Sequence, residues 1–198
     1  KLKGAYLKIA KDRFRDWGLY HKTLVAVLAA IVVGTAVRAI LVIDGAFEVT
    51  DEVVINASAA EIWPWVIDNK MRTDWQGEIV RIQGRSTDVG RNRLVYWKRR
   101  YAKWRTYEVT TAMVAERLFE TEQEGDTDRR WWRTELVPEG PCTTRVKLRE
   151  LIQPSAYSER FWFFRVEEER QQRLAHSVVA LKRWVELKET SCAAGAAE

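Results

Sequence analysis

The sequence predicts an α+β domain carried behind a single apolar helix. Three observations lead there: a 21-residue apolar run at 23–43, six closely spaced strand-like segments between residues 78 and 152, and an aliphatic stripe at helical spacing near the C-terminus. Strands joined by short turns make an antiparallel meander, and a run of strands followed by a helix belongs to the α+β class.

The chain starts basic. In residues 1–21, which open KLKGAYLKIAKDRFRDWGLY, Leu2, Tyr6, Ile9, Phe14 and Trp17 share one broad side of a helical wheel. Lys1, Lys8, Lys11 and Arg15 share the other, while Lys3 and Arg13 break the pattern. A basic amphipathic helix of this kind suits the inner leaflet of a membrane, with Phe14 and Trp17 as contacts. The alternative is a short tail ordered only by its neighbours.

Residues 22–44 read as a transmembrane helix. At about 1.5 Å per residue, the run TLVAVLAAIVVGTAVRAILVI reaches roughly 31 Å, the thickness of a hydrocarbon core. Its twelve Leu, Ile and Val residues favour insertion by roughly 4 to 7 kcal/mol. An arginine at the helix centre opposes insertion by about 2.5–3.5 kcal/mol. Arg38 lies past the midpoint, so it can snorkel to the interface. There it meets headgroup phosphates, the acidic residues Asp44, Glu48 and Asp51, or a neighbouring subunit. The run Thr23–Val37 also fits a signal-peptide core, with a small-x-small site at Gly34-Thr35-Ala36. A soluble core helix apolar on every face is unusual in a chain of this size. Seven basic residues precede the run, and after it none appears until Lys70. The positive-inside rule therefore sets the N-terminus in the cytoplasm and the following domain on the periplasmic, extracytoplasmic side.

Residues 45–190 suffice for one domain with its own core. Residues 191–198, SCAAGAAE, read as a flexible tail. The net charge of +5 is partly N-terminal. The two cysteines, Cys142 and Cys192, form one disulfide if the domain is exported, or otherwise stay free thiols.

Phe47–Ile55 alternates as a strand. Ser58-Ala59-Ala60-Glu61 is a capping box that starts a short helix carrying Ile62, Trp63, Val66 and Ile67. Pro64 removes one backbone donor and is expected to bend or shorten that helix. A second short helix follows at Lys70–Trp75. Strands are expected at Glu78–Gly84, Arg91–Arg99, Trp104–Ala112, Arg117–Glu124, Arg129–Pro138 and Thr143–Ile152, with turns at Asp88–Gly90, Glu124–Asp126 and Pro138–Pro141. A long helix spans about Tyr157–Thr190, with Leu174, Val178, Leu181 and Val185 as its stripe.

This order, together with VVINASAAEIWPWVIDNKMRTDW, resembles the START/polyketide-cyclase-like superfamily, also called SRPBCC, over about residues 46–190. The resemblance rests on Asn56-Ala57-Ser58, Ile62-Trp63 and Trp75, which match an x-A-S-x-x-x-[VI]-W helix start and a closing tryptophan. Pro64 departs from the pattern. The resemblance implies a helix-grip fold, a curved antiparallel sheet around the long C-terminal helix with a hydrophobic cavity between them. It implies binding of lipids, sterols or polyketides, cyclisation or dehydration in some members, and interaction modules in others. It carries no shared catalytic motif, so function must be read from the site.

No catalytic constellation is legible. His21 precedes the apolar run, and His176 reads as a surface residue of the last helix. Glu108, Glu120, Glu122, Glu135 and Glu150 fall on strands and are expected to face solvent and pair with arginines. One or two turned into a cavity would instead shift in pKa. Two scattered cysteines and two scattered histidines build no metal or redox centre, and no cofactor is expected. The basic, aromatic stretch VYWKRRYAKWR at 95–105 would suit single-stranded nucleic acid. Outside the cytoplasm, a hairpin tip meeting anionic headgroups or a protein is the better expectation. Four consecutive aromatics, Phe161, Trp162, Phe163 and Phe164, cover every face of a helix, so part of the group should be exposed to lipid or a partner. Trp131 and Trp132 must point to opposite faces of a strand.

The expectation from sequence is thus a non-enzymatic, membrane-anchored accessory subunit of a larger integral membrane complex, bioenergetic or light-harvesting in kind. Its partners would be membrane lipids and other integral subunits, and no nucleic acid. Arg38, Phe14, Trp17 and residues 161–164 would make the contacts. Two alternatives stay open: a carrier or sensor of a lipid-like hydrophobic small molecule, and a cyclase or dehydratase acting on an apolar substrate.

Overall fold

The computed structural model describes residues 18–41, 46–126, 128–155, 163–188 and 192. The chain divides into two compact units, Lys1–Asp44 and Gly45–Glu198. In the first, α1 spans Leu19–Leu41, 23 residues with Arg38 in its last turn. At about 1.5 Å per residue that is roughly 35 Å, long enough to cross a bilayer. Its window His21–Arg38 buries none of its residues within the protein. Arg38 is half-buried and lies at the negative end of the helix dipole, where a cation is favoured. Phe14 and Trp17 lie outside the described residues.

The second unit begins with β1 (Phe47–Ile55), α2 (Ala59–Ile67) and α3 (Asn69–Trp75). The expected capping box forms: the Ser58 hydroxyl accepts from Glu61 N, and Ser58 N donates to Glu61 Oε2 at 2.9 Å. Pro64 leaves α2 only nine residues long. Asp68 then ends α2 and starts α3, its carboxylate accepting from Lys70 N and Met71 N at 2.9 Å each. Trp75 locks the two helices together by donating its indole N–H to the Trp65 carbonyl at 2.8 Å.

The remaining strands are β2 (Ile79–Gln83), β3 (Asn92–Arg99), β4 (Ala102–Val114), β5 (Leu118–Glu124), β6 (Asp128–Gly140) and β7 (Thr143–Pro154), and α4 (Phe163–Leu187) closes the fold. The sheet runs β1-β7-β6-β5-β4-β3-β2, antiparallel throughout. All six expected strands of the meander are present. Gly84 makes the β2–β3 connection possible: its φ is +108°, and a Cβ there would stand 2.7 Å from Arg93 Cβ.

Alternation sorts the sheet into two faces. On the outer face Arg149 pairs with Glu48 at 3.2 Å and Arg145 with Glu52 at 2.6 Å. On the inner face Val49, Ile55, Phe119, Val146 and Leu148 are buried together with α2 and the α4 stripe Leu174, Val178, Leu181 and Val185. At about 25 cal/mol per Å2 of apolar surface removed from water, this core is the main favourable term in folding. Helix α4 also covers the edge strand. Gln171 donates to Thr50 O and Lys182 Nζ to Val54 O, each at 3.0 Å, while Glu186 accepts from Asn56 N at 3.1 Å. These bonds satisfy main-chain groups that an open sheet edge would offer to another chain.

Cys142 and Cys192 form a disulfide, with a Cα–Cα distance of 5.4 Å. Phe161 and Trp162 lie outside the described residues. Phe163 and Phe164 begin α4, but their side chains fall outside the description.

Candidate functional site

The inner face of the sheet is not apolar throughout. Arg93, Glu108, Gln123 and Arg130 stand opposite one another on β3, β4, β5 and β6 and form a polar row across the sheet. All four are buried, and Glu108 has no exposure at all. Two of the strand glutamates therefore depart from expectation: Glu108 and Glu150 face inward. Glu120, Glu122 and Glu135 lie on the opposite face, where they pair with Arg133 and Arg129. Alternation shows which residues share a face but not which face is inside, and charge alone favours the wrong answer. The inward placement is tolerated because every inner carboxylate meets a guanidinium.

Glu108 is the most heavily bonded of these groups. Arg72 of α3 reaches it with NH1 at 2.9 Å and NH2 at 3.2 Å. Arg93, Thr121 and Gln123 donate to it as well. Burial alone would raise its carboxyl, but the charges of Arg72 and Arg93 and the bonds from Arg72 and Gln123 outweigh that and hold it at about 2. Burial, with the like charge of Arg72, pulls Arg93 down to about 10. Both guanidiniums lie over the ring of Phe119, at 5.7 Å and 5.4 Å.

A second buried cluster joins α4 to β6 and β7. Arg170 NH2 donates to Asp128 Oδ2 at 3.0 Å, and its NH1 donates to Glu150 Oε1 at 3.2 Å. Arg130 Nε shares the same Asp128 oxygen at 2.8 Å. Burial and the neighbouring Arg130 bring Arg170 down to about 10.

Beside these clusters lies a cavity of about 470 Å3, bounded by α3, the turn Gln76–Glu78 that precedes β2, the inner face of β3 and β5–β7, and α4. Trp75, Trp97, Trp132, Leu174 and Ala180 form its apolar walls. Gln123, Arg130, Glu150 and Arg170 make a polar side, while Asp74, Glu78, Arg173 and His176 complete the lining. The cavity is thus amphipathic, where the resemblance had implied a hydrophobic one. His176 is exposed, as a surface histidine should be, and its Nδ1 lies 2.7 Å from Gln172 O. Trp132 turns into the cavity, whereas Trp131, on the outer face, lies under Arg129 at 5.1 Å.

The stretch 95–105 forms the β3–β4 hairpin. Trp97 and Trp104 stack at 6.1 Å, and Tyr101 at the tip is fully exposed. Among the described residues no cluster of three or more His, Cys, Asp or Glu side chains is arranged to hold a metal. The sequence could not reveal the Glu108 and Arg170 clusters, because their partners lie 13 to 42 residues away. Only Glu150, between Leu148 and Ile152 two positions either side, carried a sequence signal; Glu108 stands between Thr106 and Thr110.

No family model matches the chain, and no curated protein matches it. Solved structures do. A START superfamily protein from Mycobacterium smegmatis aligns at a TM-score of 0.58 and 17% identity, over 71% of this chain and 97% of that one. The Zhui aromatase/cyclase from Streptomyces sp. R1128 aligns at 0.57 and 11%, over 74% and 97%. DynU16, a putative protein of the dynemicin biosynthetic locus, aligns at 0.54 and 14%, over 70% and 47%. These likenesses correct one expectation. The fold includes an aromatase/cyclase, and ionisable side chains line the cavity, so the expectation of a non-enzymatic protein has no support. The α+β unit behind α1 has the helix-grip fold of the START and polyketide-cyclase-like superfamily.

Proposed function

We propose that this is a membrane-anchored protein whose helix-grip domain binds a small amphipathic molecule between the sheet and α4. The cavity carries this reading. Its volume of about 470 Å3 falls in the range of small-molecule sites, which combine apolar walls with a few placed polar groups. The three tryptophans suit a flat apolar body, and Gln123, Arg130, Glu150 and Arg170 suit a polar end. Helix α1 supplies the anchor. The basic residues before α1 and the Cys142–Cys192 bridge support an extracytoplasmic domain, since disulfides persist in oxidising compartments. The subunit role expected from the sequence makes no use of the cavity, so ligand binding is the better reading.

The test is purification of the full chain from its native membranes in mild detergent, followed by extraction and mass spectrometry. One small molecule near stoichiometric amount is expected, absent from an Ala180→Trp variant whose indole fills the cavity. Wild-type protein that yields the same extract as this variant would overturn the proposal. Comparing the extracted molecule before and after incubation distinguishes carriage from conversion.

A further inference from the structure

Gln123 occupies a chemically asymmetric place. Its cross-strand neighbour is Glu108 on one side and Arg130 on the other. Its Nε2 donates to Glu108 Oε2. That carboxylate also accepts from Arg72, Arg93 and Thr121, so it acts only as an acceptor. Reversing the Gln123 amide would set oxygen against oxygen with no proton between them. The amide is therefore locked in one orientation. Its Oε1 accepts no hydrogen bond among the described residues, although Gln123 lines the cavity.

The neighbouring groups sharpen this. Trp75 gives its indole N–H to Trp65 O, Trp97 to Thr106 Oγ1 and Trp132 to Thr134 Oγ1. The three rings thus offer the cavity π-surface and no donor. Glu150 uses Oε1 for Arg170, and its Oε2 has no partner among the described residues. Two acceptors, Gln123 Oε1 and Glu150 Oε2, therefore belong to side chains that line one cavity. An anionic end such as a carboxylate or phosphate has no proton to give Gln123 Oε1. A hydroxyl satisfies Gln123 with its proton and keeps its lone pairs for a guanidinium such as Arg130.

We propose that the cavity selects a neutral ligand bearing a hydroxyl, an alcohol or a phenol, which donates to Gln123 Oε1, and that Glu108 is the positioning residue holding the Gln123 amide in its accepting orientation. This rests on the ligand-binding reading above.

Three probes of one shape test it: 2-naphthol, 2-methoxynaphthalene, which lacks the donor, and 2-naphthoate, which is anionic at pH 7. Binding to the full chain in mild detergent is measured by tryptophan quenching, with the Ala180→Trp variant as the blank for micelle uptake. The naphthol is expected to bind about tenfold tighter than the ether, the worth of one hydrogen bond in a dry site. Gln123→Leu should bring the two within about twofold of each other. Glu108→Gln should lower the preference without weakening the ether, an effect that loss of structure alone would not produce. Where that variant does not fold, Gln123→Leu decides. An ether or naphthoate that equals or exceeds the naphthol, or a preference that survives Gln123→Leu, would overturn the proposal. Probes that bind above the blank without preference sink hydroxyl selection alone. Probes that never exceed the blank sink the ligand-binding reading as well.

Discussion

Arg170 on α4 and Asp128 on β6 meet at 3.0 Å, 42 residues apart in sequence. The same guanidinium binds Glu150 on β7, so one side chain ties the last helix to two strands beside the cavity. Breaking a buried pair by removing one partner leaves an uncompensated charge. Arg170→Met should therefore destabilise the domain by about 3 kcal/mol, the lower end of that range, because Asp128 keeps Arg130. Urea denaturation of the full chain in detergent, followed by tryptophan fluorescence, measures it. An unchanged midpoint would show that the cluster contributes nothing to docking α4.

Glu108 sets an acid limit. Its folded value of about 2 lies below its ordinary 4.5. Between those values the unfolded chain binds more protons than the folded one, so stability falls as pH drops. The Glu108 contribution should be complete above about pH 5 and lost progressively toward pH 2. Glu108→Gln should be less stable at pH 7, lack this dependence, and converge on the wild type near pH 2. Parallel unfolding curves for the two proteins at several pH values check this. Parallel pH profiles would contradict it.

The Cys142–Cys192 bridge closes a separation of 50 residues. In the chain-entropy account such a loop contributes about 4 kcal/mol by restricting the unfolded state. Dithiothreitol should lower the urea midpoint of the wild type and leave a Cys142→Ser variant, already lowered, unchanged. Equal midpoints with and without reductant would show that the bridge does not stabilise the domain.

Helix α1 should hold the chain in membranes through alkaline carbonate extraction, because it is long enough to span and its apolar side chains, such as Leu28, Ile31 and Val32, are exposed. A variant with Leu28, Ile31 and Val32 changed to Lys adds about 3 kcal/mol per charge at mid-helix. It should appear in the supernatant. Release of the wild type by carbonate would argue against a span.

Local rules made most of the fold legible. The Ser58–Glu61 capping box, the stop after Pro64, the turns that divide six strands, and the stripe Leu174–Val185 are each encoded within a few residues. Each appears in the structure close to its expected bounds, except that β6 runs on through Pro138–Gly140, where a turn was expected, and the chain turns at Pro141-Cys142. The candidate site was legible only in part. Trp132 was recognised as one of a divided pair, but the Glu108 and Arg170 clusters were not foreseen. No local pattern marks them: Glu108 and Glu150 read like their neighbours Glu120, Glu122 and Glu135, which do face out.

The sequence alone determined the order of elements, the apolar helix and the two-faced sheet, because hydrophobic periodicity, turn chemistry and capping act over one to four residues. Only the tertiary structure decided that charged side chains belong on the inner face and that the cavity is amphipathic. A buried carboxylate is stable only when its guanidiniums arrive from other strands and helices, and that meeting is a property of strand register and helix docking. Gln123 shows the difference. Its identity is written in the chain, but the direction of its amide is set by Glu108, brought to it by the pairing of β4 with β5.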